Sequence, residues 1–137
     1  MKQLLTITLL LIILSCGQNN KSHRSDLLTS SIWTIDKGSI DGFPRMTDKY
    51  EFKTDGTCLL AGDTEIQGKW NWAKYDEIYI RAEEAVVNGQ KIKVDNYAIC
   101  IKIVELNDKV FRTLEKAEVD SWTSGLLKER KYTASSL

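Results

Sequence analysis

Histidine is almost missing from this chain of 137 residues: His23 is the only one. A Ser-His-Asp or Cys-His arrangement therefore has no second histidine to draw on, and His23 lies in a polar stretch far from any nucleophile. No His-Glu-x-x-His, no paired Cys-x-x-Cys and no phosphate-cradling glycine loop occurs. Proline is as scarce, with Pro44 alone, and neither sign of charge prevails, since 19 Lys and Arg face 19 Asp and Glu. That balance leaves no basic surplus for nucleic acid or for electrostatic adhesion to a membrane. No apolar run approaches the roughly 20 residues of a membrane-spanning helix. The expectation is a protein that is not an enzyme and uses neither metal nor cofactor.

What is present begins with Leu4 to Leu14, apolar except for Thr6 and Thr8 and preceded by Lys2. Its length is that of a signal-peptide h-region. It runs into Ile13-Leu14-Ser15-Cys16, which resembles a bacterial lipoprotein lipobox. The resemblance implies cleavage before Cys16, acylation of Cys16 and attachment to the membrane through that lipid, with residues 1–15 as the signal peptide. Residues 16–26 then read as the lipidated cysteine and a flexible polar tether, and 27–137 as one domain. Gly17 stands where an Asp would imply inner-membrane retention, and the tether lacks an acidic surface-export run. The implied place is the cell envelope, on the outer membrane facing the periplasm.

Cys58 and Cys100 remain. An exported chain meets an oxidising compartment in which a disulfide persists; the plainer reading is two small buried apolar side chains.

Past the tether, the pattern is β throughout. Asp26 to Thr29 reads as a single helical turn capped by Asp26, and Ser31 to Lys37 as the first strand. Gly38 to Met46, with two glycines and Pro44, is a loop carrying Ile40, Phe43 and Met46, placed to plug a mouth, line an entrance or meet a partner. Tyr50 and Phe52 alternate with Lys49, Glu51 and Lys53. Asp55-Gly56 then signals a hairpin into Thr57 to Ala61. A two-residue loop pairs Phe52 with Leu59, whereas a bulged three-residue loop pairs it with Cys58, and the choice flips Cys58 in or out.

Trp70 and Trp72 share one phase, and Ile78 and Ile80 repeat it beyond the turn Lys74 to Glu77, so both indoles are expected on one inward face. Glu83 to Gln90 reads as a turn or short excursion, with Glu83-Glu84 on a solvated face. Lys91 to Leu106 holds Tyr97, Ile99, Ile101 and Ile103 in one phase, with Leu106 out of it. That implies a bulge, or two strands joined near Asp95-Asn96. Val110 to Leu114 is a further strand, the pattern fades from Glu118 to Gly125, and Leu126 to Thr133 closes the sheet with Leu127 or Tyr132 inward. Short strands and hairpin turns give an all-β domain, a sandwich or a closed barrel.

Four strand–turn signatures recur in order. Trp33 opens the first strand, in Ser31-Ile32-Trp33 where lipocalins usually carry Gly-x-Trp. Tyr50-Glu51-Phe52 precedes Asp55-Gly56-Thr57, Gly68-Lys69-Trp70-Asn71-Trp72 precedes Asp76-Glu77-Ile78-Tyr79-Ile80, and Ile103 to Phe111 comes last. The series is similar to the lipocalin-like lipoproteins of Bacteroidetes. The resemblance implies an up-and-down antiparallel β-barrel of about eight strands behind an N-terminal signal helix and tether, with a small apolar ligand inside. The candidate ligand-lining residues are Phe43, Tyr50, Phe52, Trp70, Trp72 and Tyr97; the same aromatics also read as packed core. A hollow barrel points to a ligand, whereas a filled one with an apolar patch outside points to an immunity or accessory lipoprotein holding a periplasmic protein.

Overall fold

The computed structural model describes residues 21–36, 48–119, 122–123 and 128–136. Residues 1–15, expected to be a signal segment, Cys16, residues 38–46, expected to be a loop with Phe43, and Leu127 lie outside the described residues. A helix, α1, covers residues 21–29. Ten strands follow: β1 (Ile32–Ile35), β2 (Lys49–Phe52), β3 (Thr57–Ala61), β4 (Glu65–Lys74), β5 (Glu77–Val87), β6 (Gln90–Lys93), β7 (Tyr97–Leu106), β8 (Val110–Val119), β9 (Trp122–Thr123) and β10 (Lys128–Ser135).

Every pairing is antiparallel. The order β1-β2-β3-β4-β5-β7-β8 closes through β10, which pairs with both β8 and β1, so eight strands form an up-and-down barrel of the expected lipocalin-like class. β6 extends β5 and β9 extends β8, off the closed ring. The connections fall at two ends. One, the helix end, gathers α1, the β2–β3, β4–β5 and β7–β8 turns and the end of β10. The other, the loop end, gathers the end of β1, the start of β2, the β3–β4 connection and the β5–β6 hairpin.

The β2–β3 register is the bulged one: Phe52 faces Cys58, with Gly56 at φ 86°, where a side chain is strained, so Cys58 points inward. Gly68 is the other glycine that the barrel demands. A Cβ there would collide with the Arg81 carbonyl oxygen, next to the register shift between Gln67 and Gly68 where β4 and β5 bend.

Two expectations need correction, and a third, for the Lys91 to Leu106 run, is met in both of its forms. Residues 21–26 belong to the helix rather than to a tether, and Asp26 is an exposed position inside it, not the cap of a single turn. The first part of Glu83 to Gln90 is strand, since β5 runs on to Val87 and only Asn88 and Gly89 turn, both with positive φ. Glu83 and Glu84 accordingly sit on β5, paired with Lys69 at 3.1 Å and Lys91 at 3.4 Å. The Lys91 to Leu106 run contains both devices: β6 and β7 join through Asn96 at φ 61°, and a register shift between Ile103 and Glu105 moves Leu106 to face Phe111.

Alternation then sets the interior. Trp33, Tyr50, Phe52, Leu60, Ile78, Ile80, Ile101, Phe111 and Tyr132 are each at most 1% exposed. Leu28 of α1 joins this core, and its carbonyl accepts the Trp33 indole N–H at 2.9 Å, which fastens the helix over its end of the barrel. Trp72 Nε1 donates to Ser25 Oγ at 2.9 Å, a second fastening.

Candidate functional site

In β8, Phe111 and Thr113 are fully buried, and the same phase carries the next inward side chain, Glu115, whose side chain is only 10% exposed. A carboxylate inside a barrel is unfavourable unless it is hydrogen-bonded. Three strands supply the donors. Tyr132 (β10) and Thr113 (β8) hydroxyls donate to Oε1, each at 2.7 Å, and the Tyr50 hydroxyl (β2) donates to Oε2 at 3.1 Å. Arg130, two residues from Tyr132 on the same phase, holds Nε 3.6 Å from Oε2, with its own side chain 16% exposed.

Burial raises the Glu115 pKa above its ordinary value; the hydrogen bonds from Tyr132 and Thr113, the Arg130 charge and the Tyr50 hydrogen bond pull the other way without cancelling it. Burial likewise raises Tyr132 well above the usual tyrosine value, with the Tyr50 and Glu115 charges adding to it. Tyr97, at the loop end of β7, is pushed up to about 12, first by burial and then by the Glu115 charge. Asp48 occupies the inward phase just ahead of Tyr50, and its Oδ1 is buried with no hydrogen-bond partner among the described residues. The arrangement is an acid that accepts from several donors in a low-dielectric interior and favours its protonated, donating form more than a solvated glutamate does.

The aromatic candidates divide. Phe52, 1% exposed, is core, stacked 5.5 Å from Tyr50 and edge-on at 5.5 Å to Trp70. Trp70 and Trp72 do share one face, 6.2 Å apart, but both are half-buried and lie at the helix end, where Trp70 Nε1 donates to the Lys53 carbonyl. Tyr50 and Tyr97 stand at the polar cluster, and the Tyr50 ring meets Tyr132 edge-on at 5.2 Å. Sequence reading placed Tyr132 as an inward candidate but missed Glu115, Thr113 and Arg130. The available signal was the phase that Phe111 imposes on β8: two and four steps on, it delivers Thr113 and Glu115 to the same face.

Cys58 is buried, and burial, followed by the Glu83 charge, pushes its thiol up to about 12. It is therefore a small apolar side chain at neutral pH, not a nucleophile. No disulfide joins it to Cys100. Among the described residues no cluster of His, Cys, Asp and Glu is arranged to hold a metal ion, and no helix is long and apolar enough to cross a membrane. A half-open cleft of about 630 Å³ lies against β3, β4 and β5, but its rim mixes Lys53, Arg81 and Lys93 with Glu65, Glu83 and Asp95, so its charge selects no ligand. Comparison with protein-family models, with curated proteins and with solved structures finds no match to the chain.

Proposed function

We propose that this protein is a non-enzymatic lipoprotein of the cell envelope, anchored through Cys16 on the periplasmic face of the outer membrane. Its barrel, of the kind found in lipocalin-like lipoproteins, binds a small, mainly apolar ligand from the loop end. One polar group of that ligand exchanges hydrogen bonds with the Glu115–Arg130 cluster, while Tyr50, Tyr97 and Leu60 flank its apolar part. The observation that carries this reading is the buried Glu115 with its converging tyrosine hydroxyls. A few convergent polar groups in an otherwise apolar enclosure are the usual composition of a small-molecule site. Inward positions toward that end also include Gly68, Ala82, Ala85 and Ala117, which contribute little side-chain bulk.

Native mass spectrometry of the protein released gently from membranes tests it. A co-purified small molecule, lost in Glu115→Leu and retained in Trp72→Ala, is the expected result; retention in Glu115→Leu overturns the placement of the site. Cys16→Ala is expected to abolish palmitate labelling and maturation, and normal labelling of that variant refutes the anchor. One observation favours a second reading, in which the barrel holds a periplasmic protein. Val87 and Ile92, 40% and 50% exposed, lie on the β5–β6 hairpin at the loop end, a place for a partner to rest. A bound protein in place of a small molecule in the same experiment selects that reading.

A further inference from the structure

At the helix end, Arg24 of α1 lays its guanidinium 4.5 Å from the Tyr75 ring centroid and 5.6 Å from that of Trp72. Its Nε is buried and has no hydrogen-bond partner among the described residues. Lys21 and Lys74 complete the lining of a cavity of about 300 Å³ between the helix and the β4–β5 turn. Tyr75 projects from the same turn, 65% exposed. The acidic neighbours are Glu77, 3.2 Å from Lys74, with Asp26 and Asp76 nearby; neither Lys21 nor Arg24 has a carboxylate partner within ion-pair distance among the described residues. The result is a local cationic pocket with an amphipathic aromatic side chain at its rim, on a chain of no net charge.

Chain length says what lies opposite. Cys16 precedes Lys21 by five residues, and five residues fully extended span at most about 18 Å. An acyl chain on Cys16 therefore holds the start of α1, and with it Lys21, Arg24, Lys74 and Tyr75, near the bilayer surface. The loop end then points away from the membrane.

We infer that this face docks the barrel on anionic phospholipid, with a headgroup phosphate accepted by Lys21, Arg24 and Lys74 and the Tyr75 ring resting at headgroup depth. Guanidinium and ammonium donors match phosphate, and tyrosine, with an apolar body and a polar tip, settles at the interface. The inference rests on the proposed Cys16 anchor. It adds that the protein stands on the membrane in one orientation rather than swinging on its lipid.

The test uses the mature, lipidated protein in vesicles of phosphatidylethanolamine and phosphatidylglycerol, with lysine acetylation by a water-soluble reagent read by mass spectrometry. Lys21 and Lys74 are expected to label several-fold more slowly than in detergent, whereas Lys91 and Lys93 on the opposite β6 label equally in both. Pure phosphatidylcholine vesicles are expected to give no such protection. Arg24→Gln is expected to lower the docked-to-undocked ratio about five-fold, the effect of one charge at an anionic surface. A β-sheet circular-dichroism spectrum and a urea midpoint matching the wild type show that this variant is folded. Protein that floats with the vesicles yet labels at Lys21 and Lys74 as in detergent, or equally slowly on phosphatidylcholine, overturns the docking alone. Protein that does not float refutes the anchor, and the docking with it.

Discussion

The two halves of this barrel are built to opposite rules. At the helix end, Trp33, Phe52 and Phe111 interlock, with Trp33 and Phe111 5.5 Å apart and Phe52 and Phe111 6.1 Å apart, and Leu28 closes the space from above. Toward the loop end Tyr50 and Tyr132 turn their hydroxyls onto Glu115, and Gly68, Ala82, Ala85 and Ala117 take inward positions beside Leu60 and Ile66. Large apolar rings in mutual contact give stability through buried area and dispersion. A buried acid gives little of either and places conditions on its neighbours. The contrast separates a half held by apolar ring contacts from a half held by hydrogen bonds to one buried acid.

The largest expected effects test the filled half. Trp33→Ala removes a wholly buried indole and the hydrogen bond that fastens α1, so a loss of about 3–5 kcal/mol is expected in urea denaturation. Trp72→Ala, half-buried, is expected to cost clearly less. Equal costs would erase the distinction between a sealed core and its rim. In the other half, Glu115→Leu leaves the Tyr50, Tyr132 and Thr113 hydroxyls and Arg130 without their shared partner, with an expected loss of about 1–3 kcal/mol. A neutral or stabilising outcome would show that the acid has no structural duty and strengthen its assignment to a ligand.

The pH dependence sharpens the comparison further. Burial raises the Glu115 pKa in the folded state, so its stabilising contribution is complete below the unfolded value and is lost as pH rises through the folded one. Wild type is expected to lose stability relative to Glu115→Gln as pH rises upward from the ordinary carboxylate range. Parallel urea midpoints across that range would mean that Glu115 is solvated. The smallest effect belongs to Tyr50→Phe, which deletes the longest of the three hydroxyl contacts to Glu115 and keeps the ring; about 0.5–1.5 kcal/mol is expected from thermal or urea melts.

Much of the ring was legible in advance. Tyr50 and Phe52, Trp70 and Trp72, Ile78 and Ile80, and the four in-phase residues from Tyr97 to Ile103 all face inward as their alternation required, and Tyr132 does so in the strand whose pattern was faintest. The site was far less legible. Read singly, Glu115 between Leu114 and Lys116 looks like one more charge on a wet face, and the strong aromatic pair Trp70 and Trp72 drew attention to the sealed end.

What the sequence determined by itself is whatever is decided within a few residues. A period of two defines a strand, Asp55-Gly56 defines a tight reversal, and an antiparallel all-β domain follows when such units repeat. Tertiary structure decided the rest. Helical residues 21–29 offer only Leu27 and Leu28 as apolar anchors; Trp33 and Trp72, from two strands, bond to this helix and fasten it to the barrel. Bulges, chosen by how β4 meets β5 and β7 meets β8, set which side of the wall each later residue faces. Glu115 becomes an interior acid only when Tyr50, 65 positions away, and Tyr132, 17 away, arrive on the facing strands with hydroxyls directed at it. A buried charge is tolerable only with its partners in place, and those partners are assembled by closure of the barrel.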